Sequence, residues 1–195
     1  MKKGAYRPID YALIGRDEND SISFTSQSGR TAVYEIISAF GYRLSLEEAQ
    51  ELQPILKDLS EKEGELSAQR VLDVFRNERC NVNGPLIFNN VEVLPGENRF
   101  IFYFKKESEA MVKSITAEGP IEACLMLMQS IGMPVELVKY RQLVVPDSDP
   151  LWKGRGLSRI ILKAANKTVE GRGVSSDTLK ANMRALFSGV NLLYR

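Results

Sequence analysis

The sequence predicts an α+β protein in which a small helical linker subdomain precedes a two-layer domain made of a duplicated β-β-β-α repeat. Two observations lead to this fold class. Apolar residues follow a helical period between residues 31 and 75, and a strand-like period begins after the turn at residues 81–85. Beyond that turn, three strand-like segments followed by a helix occur twice. We therefore expect a linker and helical subdomain over residues 1–82 and a second domain over residues 83–195.

Local signals define the elements of the first subdomain. Ser45 and Glu48 form a capping box at a helix start, and Ser67 is placed to cap the next helix. Pro54 is expected to kink or restart the helix that contains it, because proline lacks the N–H that a helix interior needs. The expected elements are a short strand over residues 21–25 and helices over residues 31–40, 46–59 and 68–75.

Proline and glycine punctuate the duplicated domain. Pro120 suits a first helical position, where its missing N–H costs nothing, and Gly132 suits the end of the same helix. We expect the two repeats, about 86–132 and 135–195, to bury together a core that neither repeat buries alone. We also expect two chains to pair into a dimer. The expected order is strands over residues 86–94, 99–105 and 109–116, a helix over 121–131, strands over 135–145, 157–165 and 168–172, and a helix over 176–193.

The composition excludes several classes of partner. The 195 residues are 44% hydrophobic, which is enough to bury a core, and 26 basic against 25 acidic residues leave a formal charge of +1. This balance argues against nucleic acid or a membrane surface as partner. Cys80 and Cys124 form no C-x-x-C pair, and no apolar run approaches the roughly 18 residues needed to span a bilayer. We therefore expect a cytoplasmic protein.

The chain contains no histidine. A Ser/His/Asp or Cys/His nucleophile system is thereby excluded, as is a metal site ligated by histidine. We predict no metal site and no cofactor in this chain. General base chemistry would fall to carboxylate, lysine or tyrosine side chains, so catalysis by these residues alone is not expected.

Two turns before the repeat helices are candidate anion sites. Residues 117–120 and 171–177 occupy equivalent places, and exposed backbone N–H groups at a helix start favour a negative charge. Each turn is thus a candidate for the carboxylate of a small ligand, with an ordinary helix cap as the alternative. Trp152 lies in a loop, where it either packs for stability or covers a pocket or interface.

Five short motifs occur in order along nearly the whole chain. They are Tyr6-Arg7-Pro8-Ile9 with Ile14-Gly15-Arg16, Ser26-Gln27-Ser28-Gly29-Arg30, Gly41-Tyr42-Arg43-Leu44-Ser45 with Glu47-Glu48, Gly119-Pro120-Ile121-Glu122-Ala123, and Gly173-Val174-Ser175-Ser176-Asp177 with Ala181 and Asn191. Each is weak alone, but their order and spacing resemble the C-terminal linker and regulatory region of the α-isopropylmalate synthase family, which includes citramalate and homocitrate synthases. The likeness is strongest to 2-isopropylmalate synthase. Ala117 and Glu118 depart from the family's G-[ND]-G-P pattern.

The resemblance implies a role in leucine biosynthesis. Enzymes of the family condense acetyl-CoA with 2-oxoisovalerate on a metal-dependent (β/α)₈ barrel, and leucine bound in the C-terminal region inhibits them. The barrel, with its divalent metal, is absent from this sequence. Tyr6 matches a linker tyrosine that, in the family, reaches toward a neighbouring subunit's active site, so it is the one auxiliary catalytic candidate.

The resemblance also implies an effector site between the two repeats, near the contact of a homodimer. Apolar side chains there would hold a branched-chain amino acid, while turn N–H groups meet its carboxylate. The residues at matching positions are Gly119, Pro120, Ile121, Leu137, Tyr140, Val144, Gly156, Ser158 and Thr178.

Three functions remain open at this point. The first is a leucine-binding and dimerising module of a 2-isopropylmalate synthase, as a truncated reading frame, a fragment or a stand-alone paralogue. The second is a C-terminal subunit that completes an active synthase with a separate barrel chain. The third is a structural oligomerisation domain that binds no ligand.

Overall fold

The computed structural model describes residues 23–94 and 96–195, which form two compact units divided between Phe75 and Arg76. The predicted Tyr6 and the linker motif around it lie outside the described residues. The domain boundary predicted after residue 82 stays a prediction. Within the described ranges, no helix is both long and apolar enough to cross a membrane.

The first unit contains helices and one small sheet. Its elements are β1 (Ser23–Phe24), α1 (Arg30–Ala39), α2 (Leu46–Glu63), β2 (Leu66–Ser67) and α3 (Ala68–Arg79), which begins in this unit. Strands β1 and β2 pair antiparallel, and α1 packs against α2. The buried side chains include Phe24, Val33, Ile36, Ile37, Leu52, Leu56, Leu72 and Phe75.

The capping box predicted at the start of α2 is present in full. Ser45 Oγ accepts the Glu48 N–H at 3.1 Å, and Glu48 Oε2 accepts the Ser45 N–H at 3.0 Å, so two otherwise unpaired donors are satisfied. Of the two effects predicted for Pro54, the restart of the helix is wrong, since α2 continues through it to Glu63, and the kink stays a prediction. Packing of Leu52 and Leu56, both fully buried, offsets the missing hydrogen bond.

The second unit confirms the duplicated β-β-β-α repeat. The first repeat is β3 (Leu86–Leu94), β4 (Arg99–Lys106), β5 (Glu109–Thr116) and α4 (Pro120–Ser130); the second is β6 (Glu136–Val144), β7 (Gly156–Ala164), β8 (Lys167–Ser175) and α5 (Thr178–Leu193). Each repeat forms its own three-stranded antiparallel sheet in sequential order. Each first strand also has an early register shift, after Phe88 in β3 and after Leu137 in β6. Matching bulges at matching places support a true repeat.

The two repeats share one hydrophobic core. It takes side chains from both sheets and both helices, including Phe102, Phe104, Leu127, Met128, Ile160, Leu162, Leu186 and Phe187. Phe187 of α5 contacts two rings of the first repeat, with centroids 5.3 Å from Phe88 and 5.9 Å from Phe104. Because the core is common, neither sheet covers its apolar face by itself.

The turn predicted over residues 171–177 is wrong for its first five positions. Gly171 and Gly173 lie inside β8, which continues to Ser175, and α5 begins only at Thr178. The glycines serve close packing instead. A Cβ on Gly173 would lie 2.1 Å from the Ala181 carbonyl oxygen, so α5 approaches the strand more closely than any side chain allows.

Candidate functional site

Three of the candidate residues lie along β6, an edge strand of the β6-β7-β8 sheet in the second repeat. Leu137 pairs with Leu162, Tyr140 with Ile160 and Val144 with Gly156. Their β7 partners are two residues or a multiple of two apart, so all three side chains lie on the sheet face against which α5 packs. The bulge after Leu137 keeps it on the same face as Tyr140.

Four polar side chains meet on this face, and we refer to Tyr140, Gln142, Ser158 and Asn182 as the polar cluster. The Tyr140 hydroxyl lies 3.0 Å from Gln142 Oε1 and 3.1 Å from Asn182 Oδ1. The Ser158 hydroxyl donates to the same Asn182 oxygen. Ser158 and Asn182 are buried, whereas 38% of Tyr140 is exposed. The cluster therefore runs from the interior to the surface.

The polar cluster retains hydrogen-bonding capacity for a ligand. The amide nitrogen of Asn182 has no hydrogen-bond partner among the described residues, although its oxygen accepts two hydroxyls. A tyrosine hydroxyl carries one proton and two acceptor lone pairs, so Tyr140 can also accept a bond from a ligand donor. A small polar molecule at this place would meet both a donor and an acceptor.

The start of α4 has free donors as well. Gly119 is the N-cap and makes no side-chain cap, and Pro120 fills the first helical position as predicted. Glu122 instead reaches back and accepts the Glu118 N–H at 3.0 Å. Among the described residues, the first-turn N–H groups after Pro120 have no side-chain acceptor and can donate to a ligand carboxylate, although Glu122 already places one negative charge in this turn. Ile121 packs against the same core as Leu137.

The start of α5 is a poor anion site. The Asp177 carboxylate accepts the Lys180 N–H at 3.0 Å and already supplies a negative charge to the helix terminus. The candidate anion site in the turn before α5 is therefore replaced by an ordinary cap. Thr178 is exposed in the first turn, four residues before Asn182, and this spacing places both on one helix face.

The structure thus links some of the candidates and adds two residues, Gln142 and Asn182. Tyr140 and Ser158 meet through Asn182, and Val144 lies directly opposite Gly156. Sequence analysis missed Asn182. The available signal was a short polar residue at position 182, one helical turn after Thr178 and on the same helix face.

Side chains elsewhere in the second unit have structural roles. Trp152 is half-buried with the Arg76 guanidinium 5.4 Å from its ring, and Asp149 accepts the Trp152 N–H and pairs with Arg76. Cys80 and Cys124 are buried, and burial raises the pKa of the Cys124 thiol. Across the described residues, no three potential ligand side chains lie close enough to hold a metal ion.

Comparison with known proteins decides the family. The model of the LeuA allosteric (dimerisation) domain matches residues 65–194. The chain belongs to this family. The duplicated repeat and the polar cluster both fall within the matched part of this LeuA domain, so the predicted resemblance to the synthase family's C-terminal region is confirmed.

Relatives of this LeuA domain are named as synthases. A 2-isopropylmalate synthase 2 from Leptospira interrogans serogroup Icterohaemorrhagiae serovar Lai (strain 56601) is 58% identical over 64 residues, or 33% of this chain and 15% of that protein. A 2-isopropylmalate synthase from Carboxydothermus hydrogenoformans is 26% identical over 199 residues, 98% of this chain and 38% of that protein. A putative (R)-citramalate synthase from Archaeoglobus fulgidus is 23% identical over 200 residues, which are 97% of this chain and 39% of that protein. The chain spans less than two fifths of each relative.

Proposed function

We propose that this chain is the regulatory and dimerisation portion of a 2-isopropylmalate synthase and that it binds leucine as a feedback inhibitor. The parent enzyme, in this proposal, condenses acetyl-CoA with 2-oxoisovalerate for leucine biosynthesis. The support is the LeuA family match together with relatives that carry the name 2-isopropylmalate synthase. The observation that carries the ligand proposal is the unpartnered amide nitrogen of Asn182 beside the half-exposed Tyr140.

The chemistry of the site suits a branched-chain amino acid. The Asn182 amide and the first-turn N–H groups of α4 are donors for a carboxylate, and the Tyr140 hydroxyl is an acceptor for an ammonium group. Leu137, Val144 and Ile121 offer apolar surface for an aliphatic side chain. Gly119, Pro120, Gly156, Ser158 and Thr178 complete the proposed site.

The same strand offers a surface for a second copy of the chain. Val138, Leu143 and Val144 of β6 are 55%, 42% and 67% exposed, and β6 is unpaired along one edge within its sheet. An exposed apolar edge strand favours pairing with another chain. We propose that it contributes to a homodimer contact next to the leucine site.

Calorimetric titration tests the ligand proposal. We expect heat and a raised melting temperature with leucine at millimolar concentration, and weaker responses with isoleucine, valine and lysine. Tyr140→Phe removes one hydroxyl from a half-exposed residue and should weaken leucine binding about tenfold, as for a lost hydrogen bond of about 1.4 kcal/mol. Tyr103→Phe is the matched control, because its hydroxyl donates to Glu92 in the first repeat.

The outcome also separates the three functions. No heat and no thermal shift with any of the four amino acids would remove the leucine proposal. Dimers in analytical ultracentrifugation without such binding would select a structural oligomerisation domain. Synthase activity that appears only on mixing with a separate barrel chain would select a completing subunit.

A further inference from the structure

A cavity of about 270 Å³ opens in the second unit, and no residue of the polar cluster lines it. Its walls come from the segment before β3, from β3 itself and from the middle of α5. The side chains that matter for its chemistry are Asn81, Asn83, Ile87, Phe88, Arg184 and Phe187. None of these belongs to the polar cluster or to the proposed leucine site.

The cavity carries a cation without an acidic partner. Arg184 is half-buried, and its guanidinium donates through Nη1 to the Val174 carbonyl oxygen at 2.7 Å. Among the described residues no carboxylate pairs with it. A neutral carbonyl leaves the positive charge uncompensated, and the other N–H groups of the guanidinium remain as donors. Arg184 is therefore an anchor for an anionic group.

Two asparagines line the cavity, and the side-chain amide of one of them is held in place by hydrogen bonds. Asn81 accepts the Val174 N–H at 2.8 Å and donates to the Val174 carbonyl oxygen at 3.2 Å, so its side chain is fixed to β8. Asn83 is exposed, and its side chain has no hydrogen-bond partner in the described part of the chain. Its amide is available to a bound molecule.

Apolar side chains also line the cavity. Phe88 and Phe187 lie with ring centroids 5.3 Å apart, and Ile87 adds an aliphatic surface. Among the residues that the structure describes, no aspartate or glutamate lines the cavity to neutralise an ammonium group. We propose that this cavity is a second ligand site, which binds a short aliphatic monocarboxylate without an amine. It lies apart from the proposed leucine site and does not depend on it.

Three probes of matched shape test the charge requirement. They are 4-methylpentanoate, its neutral amide 4-methylpentanamide, and leucine, which has the same carbon skeleton with an amine. An assigned ¹H–¹⁵N spectrum of the full chain reports which amides respond. We expect 4-methylpentanoate to shift the Asn83 side-chain amide and the backbone amides of Val82 and Phe88, with a millimolar Kd, as is usual for a ligand of this size.

Two variants test the anchor. Arg184→Gln removes the cation and should weaken 4-methylpentanoate binding at least about tenfold, since hydrogen bonds to charged groups are among the strong ones. Lys180→Gln on the same helix makes the same charge change outside the cavity and should leave binding unchanged. Asn83→Asp places a negative charge at an exposed position without a folding risk and should also weaken binding; Asn166→Asp, in an exposed turn, is its control.

Several results would overturn the proposal. These are equal binding of 4-methylpentanamide, equal binding of inorganic phosphate, equal effects of Arg184→Gln and Lys180→Gln, or no shifts at Asn83 with 4-methylpentanoate. Displacement of 4-methylpentanoate by leucine at Asn83 would also contradict two separate sites. Failure of leucine to bind at Tyr140 would leave these shifts unaffected, so the two proposals fail independently.

Discussion

Asparagine side chains make several of the hydrogen bonds that connect distant segments of the second unit. The Asn182 side-chain oxygen lies within hydrogen-bond distance of the Tyr140 and Ser158 hydroxyls. The Asn81 amide is hydrogen-bonded to both the N–H and the carbonyl oxygen of Val174. Asn191 is fully buried at the end of α5. An amide can donate and accept at once, so one side chain satisfies backbone groups of both kinds where no strand partner is present.

Asn191→Asp should destabilise the protein by about 3 kcal/mol or more. Asn191 accepts the Leu86 N–H at 3.0 Å and donates to the carbonyl oxygens of Val82 and Leu86 at 2.8 Å each. Aspartate has the same shape but cannot make both donations, and it would hold a buried charge against two carbonyls. Urea unfolding measures the free energy of unfolding.

The control for Asn191→Asp is Asn77→Asp, an exposed position on α3. It should change stability by less than about 1 kcal/mol, as is usual for surface substitutions. A similar loss in both variants would mean that the added charge, rather than the lost hydrogen bonds of Asn191, is responsible.

Helix α5 and strand β8 are in unusually close contact. Gly171, Gly173 and Gly189 create the space, since a Cβ on Gly171 would lie 2.1 Å from the Ala185 carbonyl oxygen and one on Gly189 would lie 2.8 Å from Leu162. This contact fixes where the first half of α5 stands over the sheet. It therefore also fixes the distance from Asn182 to Ser158 and Tyr140.

Gly173→Ala should destabilise the protein by about 3 kcal/mol or more, because the added methyl group meets backbone atoms of α5 that cannot rotate away. Thermal or urea unfolding measures the loss, and leucine binding should weaken as Asn182 moves. Gly156→Ala on β7 is the matched control for stability only, because Gly156 belongs to the proposed leucine site; its Cβ would lie 3.4 Å from the Ser175 carbonyl oxygen. A Gly173→Ala protein as stable as Gly156→Ala would contradict the close contact.

At the scale of the second unit, the shared core makes two sheets into one folded body. The cluster of buried side chains includes residues of β4 and β7, of α4 and of α5. Phe187 contributes from the second repeat to rings of the first. Loss of the Phe187 contacts should therefore destabilise both repeats.

Phe187→Ala should cost about 3–5 kcal/mol, the range for removing a large buried aromatic ring. Hydrogen exchange should become faster in β4 and β7 together, because the missing ring leaves a void in the core that both strands share. Phe187→Leu retains most of the apolar volume and should cost about 1 kcal/mol. Quicker exchange confined to β6, β7 and β8 would show that the repeats are independent.

Much of this fold follows from local patterns in the sequence. The capping box of Ser45 and Glu48, Pro120 at the start of α4 and the alternation over β3 to β5 depend on residues close in the chain, so their signals are local. The order of the repeats and the family resemblance follow from the same patterns and are confirmed.

The remainder depends on contacts between residues far apart in the chain. Gly171 and Gly173 have the composition of a turn, yet they lie inside β8. They are needed there because a side chain at either position would collide with the backbone of α5. Asn182 has no local motif and becomes a site residue only when α5 lies over Tyr140 and Ser158. The cavity at Arg184 likewise needs Asn81 and Phe88 from a segment about a hundred residues earlier. Close approach and hydrogen bonding between distant segments are set by the packed core, which short-range periodicity does not encode.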